Sequence, residues 1–249
     1  MFDLVYCEFA KLKHSNMLLI SFLGAFVAPS MMFIEAIRIH ASQPERAFGI
    51  GDMYSSCLLY SMLLFGTVVY VVIGSYLFSR EYTENTLKSI LTIPVSKSSF
   101  LISKFIMFLI WIQVLTLITW ASMLMFAAIF IAMYHSMTLD WMVAMQYLGS
   151  MLLGGLLLFI TLSPFIFVTL WTKQVVIPVI AATAIVMGNA ALANESLGAL
   201  FPWTATFLLV SDRLVDTGYS IGLSMGLIIL VSAVGFGLSA WYFANEDVK

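Results

Sequence analysis

The sequence has little charge, and this scarcity excludes several classes of protein. Lysine and arginine total 11 and aspartate and glutamate total 13, which together are 10% of the 249 residues. Soluble domains carry roughly 25% charged residues, so this composition does not fit an ordinary soluble domain. The net charge of −2 also gives no basic surface of the kind that nucleic-acid binding requires. The sequence therefore predicts a membrane protein without a nucleic-acid partner.

Motifs for nucleotide hydrolysis and metal binding are missing from the whole sequence. Neither the phosphate-binding pattern G-x-x-x-x-G-K-[ST] nor the zinc-protease pattern H-E-x-x-H occurs. The three histidines are His14, His40 and His135, and no histidine or cysteine cluster has metal-ligand spacing. We therefore predict a chain that is not an enzyme and binds no metal or cofactor itself.

An intramembrane hydrolase is the enzymatic alternative that the sequence leaves open. Ser150 and Ser163 lie within apolar runs and are candidate nucleophiles. A serine nucleophile needs a base beside it, and no histidine falls inside these runs. This class is therefore the least favoured.

Long apolar runs dominate what is present. Hydrophobic residues make up 62% of the chain, and the mean hydropathy is +1.03. A helix that crosses a hydrocarbon core of about 30 Å needs about 20 apolar residues, and the runs lack the alternating pattern of barrel strands. We predict one all-α transmembrane domain over residues 1–249. Its six spans are expected near residues 17–37, 55–79, 99–133, 141–171, 175–193 and 218–243.

The lysines and arginines predict the orientation of these spans. Short cytoplasmic loops are enriched in basic residues, and placing both termini in the cytoplasm puts every lysine and Arg80 on that side. Only Arg38, Arg46 and Arg213 are then outside. The two cysteines, Cys7 and Cys57, fall on opposite sides of the membrane, which excludes a disulfide between them.

Two apolar segments lie outside the predicted spans. Residues 2–13 place apolar residues on one helical face and charged residues largely on the other, which predicts an interfacial helix within residues 1–16. A signal peptide is less favoured, because this start carries acidic residues and lacks a small-residue cleavage pair. The run LGALFPWTATFLL, within residues 194–217, predicts short helices in the outer leaflet.

The polar segment of residues 80–104, REYTENTLKSILTIPVSKSSFLISK, is the most informative part of the chain. It predicts a cytoplasmic helix over residues 83–92, with Thr83 as N-cap and Pro94 ending it. Glu84 and Lys88 form a favourable i,i+4 pair. The apolar stripe of this helix consists of Leu87, Ile90 and Leu91. Such a helix is suited to docking a partner protein.

This segment resembles the first cytoplasmic loop of the type 2 ATP-binding cassette (ABC-2) exporter permeases. The pattern in that family is an acidic residue after the second span, a Thr-Leu pair in a coupling helix, and a proline followed by a small polar and a basic residue. The matching residues are Glu81, Thr86, Leu87, Pro94, Ser96 and Lys97. Six spans, an N-terminal interfacial helix and an outer apolar element extend the resemblance over nearly the whole chain.

The resemblance implies a permease subunit of an ATP-driven exporter. It implies two ATP-binding subunits that hold ATP and magnesium, and a second permease subunit that is identical or homologous. The sequence TLKSILTIPVSK is most similar to that of bacitracin-resistance and lantibiotic-immunity permeases of bacterial plasma membranes. Those permeases move membrane-active peptides or lipid-linked compounds. The implied contacts with the ATPase are made by Glu81, Glu84, Asn85, Thr86, Leu87, Lys88, Leu91 and Pro94. The alternative is a membrane scaffold or sensor that uses the same helix to dock a signalling protein.

Residues on the second and fifth spans are candidates for a translocation path or a dimer face. Tyr60 and Tyr70 belong to a series of aromatic residues on span two, and Ala184 and Gly188 to a small-residue surface on span five. Asn189 is an amide in an apolar run and needs a hydrogen-bond partner. Helix packing within the bundle is the simpler explanation for all of them.

Overall fold

The computed structural model describes residues 2–13, 15–43, 49–84, 96–135 and 138–245. All regular structure within these ranges is helical, which confirms the predicted all-α class. In chain order the helices are α1 (Phe2–Lys13), α2 (Met17–Ser42), α3 (Ile50–Leu59), a π-helical turn (Tyr60–Phe65), α4 (Gly66–Thr83), α5 (Lys97–Tyr134), α6 (Trp141–Thr161), α7 (Ser163–Thr172), α8 (Val176–Leu192), a 3₁₀ turn (Ser196–Leu200), α9 (Pro202–Val210), a second 3₁₀ turn (Val215–Thr217) and α10 (Ile221–Asn245).

Five helical runs in the described residues are long and apolar enough to cross a membrane. They are α2, the continuous run Ile50–Thr83, α5, α6 and α10. The apolar helices α7 and α8 are shorter. At about 1.5 Å per residue, the 17 residues of α8 extend about 26 Å, slightly less than the hydrocarbon thickness. A multi-pass membrane protein is confirmed, and a count of six spans stays a prediction.

The helix ends follow from local sequence. Ser96 begins α5 by accepting a hydrogen bond from the Ser99 backbone N–H at 3.2 Å, and Asp140 begins α6 by accepting from the Met142 N–H at 2.9 Å. Thr83, predicted as an N-cap, is instead the last residue of α4, and its hydroxyl donates to the Arg80 carbonyl oxygen at 2.9 Å. Residues 85–95, which hold the rest of the predicted docking helix, lie outside the described residues.

A π-helical turn interrupts the second run. The Gly66 N–H donates to the Ser61 carbonyl, five residues earlier, and a Cβ at Gly66 would collide with that oxygen. The wider turn changes the pairing of neighbouring carbonyl groups, and one of them, on Leu63, accepts a hydrogen bond from the Asn189 side chain at 3.1 Å. The Asn189 amide, which the sequence predicts to need a partner, thus donates to a main-chain oxygen of a neighbouring helix.

A second interruption divides the predicted span 141–171. Its helix ends at Thr161 and resumes at Ser163, because Pro164 lacks the N–H that a continuous helix requires at that position. Helix α10 packs against α7 across this break, and Ser163 Oγ lies 3.2 Å from the Ser232 carbonyl oxygen to which it donates. Pro178, by contrast, lies in the first turn of α8 and breaks nothing.

The described lysines gather at one end of the bundle, which we call the lysine end. Lys97, at the start of α5, donates to the Ala244 carbonyl at the end of α10 at 3.3 Å. Lys173, after α7, lies 5.1 Å from the centre of the Tyr82 ring at the end of α4. Helix α1 packs on the same end of α5. The predicted grouping of lysines is confirmed, and its cytoplasmic orientation stays a prediction.

Close packing at the second break predicts a sharp difference between two glycines of α10. Gly235→Ala would place a Cβ against the Ser163 side chain and 2.5 Å from the Pro164 backbone nitrogen, whereas a Cβ at Gly237 meets nothing within 4 Å. We expect Gly235→Ala to lower the thermal unfolding temperature in detergent, consistent with an overpacking cost of about 1–3 kcal/mol. Gly237→Ala should unfold at or slightly above the wild-type temperature. Equal effects of the two changes would contradict this packing.

Candidate functional site

Helix α1 turns part of its charged face toward the bundle. Glu8 and Leu12 are buried, whereas Tyr6 and Cys7 are exposed. The predicted helix is present, but Glu8 does not lie on a solvated polar face as the amphipathic pattern indicated. A carboxylate buried beside a membrane-spanning bundle requires compensating charges, and these come from two other helices.

Four side chains close a ring of alternating charges at the lysine end. Lys104 Nζ lies 3.0 Å from Glu8 Oε2 and 2.7 Å from Glu81 Oε2. Lys11 Nζ lies 2.8 Å from Glu8 Oε1 and 3.2 Å from Glu81 Oε1. Each carboxylate therefore bridges both ammonium groups, and the net charge is zero. We call Glu8, Lys11, Glu81 and Lys104 the charged ring.

Three of the four side chains of the charged ring are almost completely removed from solvent. Glu8 and Lys104 are each 3% exposed and Glu81 is 2% exposed, while Lys11 is 34% exposed. Burial raises the pKa of Glu8, but the Lys104 and Lys11 ammonium groups outweigh burial and hold this pKa below its ordinary value of 4.5. Burial lowers the pKa of Lys11, but the Glu8 and Glu81 carboxylates outweigh it and hold this pKa above its ordinary value of 10.5. Glu8 and Lys11 are thus both charged at neutral pH.

Main-chain hydrogen bonds extend the charged ring into the ends of the helices. Lys104 Nζ also donates to the Leu77 carbonyl at 2.7 Å, and Arg80 Nη1 donates to the Lys11 carbonyl at 2.9 Å. These bonds join the last turn of α1 to the last turns of α4 and to the second turn of α5. In the sequence, the segment of residues 85–95 begins four residues after Glu81 and ends just before the N-cap of α5. The charged ring thus fixes both attachment points of the predicted docking segment.

The other residues predicted to contact an ATPase have different positions. Glu84 is half exposed and accepts a hydrogen bond from Arg80 Nε at 2.8 Å. Glu81 belongs to the charged ring, so its carboxylate is used within the protein. The remaining residues, outside the described ranges, are Asn85, Thr86, Leu87, Lys88, Leu91 and Pro94. Their contacts with an ATPase stay predictions.

The five candidates on the second and fifth spans do not form one surface. Tyr70 is buried, with its hydroxyl 3.2 Å from Thr116 Oγ1, and the Tyr60 hydroxyl donates to the Glu35 carboxylate. Asn189 is fully buried and also accepts from Thr204 Oγ1 at 3.1 Å. Ala184 is exposed on the outside of α8, and Gly188 is half-buried there. Tyr60, Tyr70 and Asn189 make hydrogen bonds between helices. Gly188 packs against the Phe201 ring, so only Ala184 faces outward.

The described residues offer little for hydrolytic or metal chemistry. The Ser163 hydroxyl donates to the Ile160 and Ser232 carbonyl oxygens, and the Ser150 hydroxyl donates to the Gln146 carbonyl oxygen. Neither serine is bonded to a side-chain base in the part of the chain that the structure describes. Within the same ranges, no three His, Cys, Asp or Glu side chains come together as metal ligands.

Comparisons with known proteins place this site in context. Residues 4–189 match a protein-family model described as ABC-2 family transporter protein. The chain is also 36% identical over 208 residues to the bacitracin transport permease protein BCRB of Bacillus licheniformis, an alignment covering 84% of this chain and 98% of that protein. The family match contains all four residues of the charged ring.

Removal of one carboxylate from the charged ring should be far more costly than removal of its exposed neighbour. Glu81→Gln leaves Lys104 and Lys11 with one shared carboxylate. We therefore expect it to lower the free energy of unfolding by about 3–5 kcal/mol, the range typical of a broken buried ion pair. Glu84→Gln removes an exposed i,i+4 pair and should cost about 0.5 kcal/mol or less. Thermal unfolding in detergent measures both.

A double-mutant cycle separates the ionic contribution from general disruption at this position. Adding Lys104→Met to Glu81→Gln removes one positive and one negative charge, so the double variant should be more stable than the sum of the single effects predicts. Strict additivity, or equal effects of Glu81→Gln and Glu84→Gln, would contradict the ionic role of the charged ring.

Proposed function

This chain belongs to the ABC-2 family of transporter proteins, and we propose that it is the membrane-spanning permease subunit of an ATP-driven exporter. The observation that carries the proposal is the charged ring, which holds the two ends of the predicted docking segment in one buried unit. The sequence has no phosphate loop, so ATP and magnesium bind to separate ATP-binding subunits. This chain contributes the translocation path for the substrate and the surface on which the ATP-binding subunits dock.

The mechanical part of the proposal follows from the rigidity of the charged ring. Three interhelical ion pairs join α1, α4 and α5, so a push on residues 85–95 moves these helix ends together. Helix α5 has 38 residues and extends about 57 Å, and the 34-residue run that ends with α4 extends about 51 Å. Both reach from the lysine end to the opposite end of the bundle. Rotation of the docking segment would therefore open or close the far end.

The membrane arrangement is proposed on the same basis. The six spans are α2, the run Ile50–Thr83, α5, α6 with α7, α8, and α10, with the lysine end in the cytoplasm together with both termini. Helix α1 lies at the cytoplasmic interface, and α9 lies in the outer leaflet. This arrangement puts the docking segment on the side where ATP is available.

The assembly proposed is two permease subunits with two ATP-binding subunits. The outer face of α8 supports the permease pairing, since it presents Ala184 together with the largely exposed Ile180 and Met187. Small residues on such a face permit close approach of a second helix. The second permease is an identical or homologous chain.

The substrate proposed is a membrane-active antimicrobial peptide or a lipid-linked antibiotic, removed from the membrane of a resistant bacterium. The support is the relative named as a bacitracin transport permease, of which the alignment covers 98%. A permease of this kind confers resistance or immunity in the bacterial plasma membrane.

A charge reversal in the docking segment tests the ATPase partnership. Lys88→Glu should abolish copurification of the ATP-binding subunit expressed from the same cells, because the segment is the proposed contact. Lys13→Glu reverses an exposed lysine at the same end of the bundle, outside the segment, and should leave copurification intact. Affinity purification in detergent followed by mass spectrometry reads out both.

Two outcomes would count against the exporter. Retention of the ATP-binding subunit by Lys88→Glu and by Leu87→Asp would show that residues 85–95 are not the docking site. Copurification of a signalling protein whose binding does not depend on nucleotide, with no ATPase present, would favour the scaffold or sensor.

A further inference from the structure

A polar cavity of about 460 Å³ lies at the end of the bundle away from the charged ring. Its volume falls within the range of about 300–1,000 Å³ that is typical of small-ligand sites. Its walls come from α3, α6, and α9 with the turn that follows α9. The lining residues are Ser55, Ser56, Leu58, Leu59, Gln146, Tyr147, Ser150, Phe207, Val210, Ser211, Asp212 and Arg213.

The position of the cavity separates it from the docking segment. Leu58 and Glu81 lie on the same helical run, 23 residues apart, which corresponds to about 35 Å along the helix axis. In the orientation proposed above, the cavity opens near the outer surface of the membrane. It is therefore placed to hold a substrate and not to contact an ATPase.

The wall formed by α9 is fixed in place before any ligand binds. Trp203 Nε1 donates to the Thr161 carbonyl at 3.1 Å, and Thr204 Oγ1 donates to Asn189 Oδ1 at 3.1 Å. After α9, the backbone N–H groups of Arg213 and Leu214 both donate to the Leu208 carbonyl, at 2.9 and 3.1 Å. These bonds hold the turn that carries Asp212 against the cavity.

Three serine hydroxyls and one carboxylate give the cavity hydrogen-bond acceptors, and Gln146, Tyr147 and Arg213 bring donor groups. The hydroxyls of Ser55, Ser150 and Ser211 donate to main-chain carbonyl oxygens of their own helices, at 3.0, 3.4 and 2.8 Å. Their oxygen lone pairs are left for a ligand. Asp212, exposed at the rim with a left-handed backbone (φ 54°), adds a negative charge. The serine oxygens complement N–H donors, and the Asp212 carboxylate complements an ammonium group most strongly.

Apolar side chains complete the lining. Leu58 and Phe207 are buried in the walls, with Leu59 and Val210 beside them. Among the described lining residues the one cation is Arg213, which is exposed and follows Asp212 directly in the chain, so the two charges offset each other at the rim. A ligand that fits these walls carries amino or amide N–H groups next to an apolar group.

We propose that this cavity binds the cationic part of a membrane-active peptide, with a neighbouring apolar side chain of that peptide against Leu58 and Phe207. The inference rests on the proposed exporter function and narrows its substrate to a peptide that carries ammonium groups. An amphiphile with an anionic phosphate head group would instead depend on Arg213. The charge at Asp212 distinguishes the two ligands.

The test uses the full-length permease in phosphatidylcholine nanodiscs, without an ATP-binding subunit. The probe is a fluorescent synthetic amphipathic peptide of leucine and lysine, compared with the same peptide after acetylation of its lysines, and empty nanodiscs measure binding to lipid alone. We expect the lysine form to bind saturably. Acetylation should weaken its affinity about tenfold or more, because it removes the ammonium groups that make charge-assisted hydrogen bonds.

Matched variants locate the binding. Asp212→Asn keeps a residue that tolerates the left-handed backbone and removes the charge, so it should weaken binding about tenfold. Asp216→Asn removes a nearby exposed carboxylate that does not line the cavity and should leave binding unchanged. Arg213→Gln should leave binding equal or tighter. The results that overturn the proposal are equal effects of Asp212→Asn and Asp216→Asn, or no binding above that of empty nanodiscs.

A further arm tests the anionic alternative. If Arg213→Gln abolishes binding of a fluorescent phosphatidylglycerol while Asp212→Asn does not affect the lysine peptide, the cavity is a phosphate site and the peptide proposal is wrong. Copurification of the ATP-binding subunit with Asp212→Asn reports on the exporter function separately, because the docking segment lies at the opposite end. A failed cavity and a failed exporter thus give different results.

Discussion

The architecture depends on one interaction, the closed ring of two carboxylates and two ammonium groups at the lysine end, of which Glu8, Glu81 and Lys104 are buried. Burying any one of these ions alone would be prohibitively costly, and only the alternation of charge makes the site tolerable. Because the members of the charged ring come from α1, α4 and α5, the ring fixes the geometry of three helices within about two turns of the predicted docking segment. Apolar packing alone would leave these helix ends free to slide.

Away from the charged ring, the bundle is organised differently, around helix irregularities. The π-helical turn and the break before Pro164 each interrupt regular main-chain pairing, and neighbouring helices supply compensating bonds from Asn189 and Trp203. The two interruptions are joined through α9, which also forms a wall of the polar cavity. Movement delivered along α4 and α5 would thus arrive at a region where helices are already segmented. Such segments change shape more readily than continuous helices do.

Local pattern in the sequence predicted most of the helices, because apolar length and basic-residue placement are properties of neighbouring residues. It predicted α1, a helical element within residues 194–217 and the grouping of lysines, and it identified Asn189 as an amide that needs a partner. The charged ring escaped prediction because Lys104 and Glu8 are 96 residues apart, and no periodicity connects them. The π-helical turn escaped because Gly66, which permits the close approach of the Ser61 carbonyl oxygen, looks in the sequence like any other glycine in an apolar run. The sequence does carry one sign of the charged ring. Lys104 lies in an apolar stretch, and a buried ion requires a partner of opposite charge.

The central claim is that the charged ring transmits movement of the docking segment to the membrane helices. The most direct measurement compares ATP hydrolysis with peptide transport in proteoliposomes that contain the permease and its ATP-binding subunit, for wild type and for Lys104→Met. If the charged ring transmits the movement, Lys104→Met will continue to hydrolyse ATP while transport per ATP falls severely. Unchanged transport per ATP in an assembled Lys104→Met complex would contradict the account.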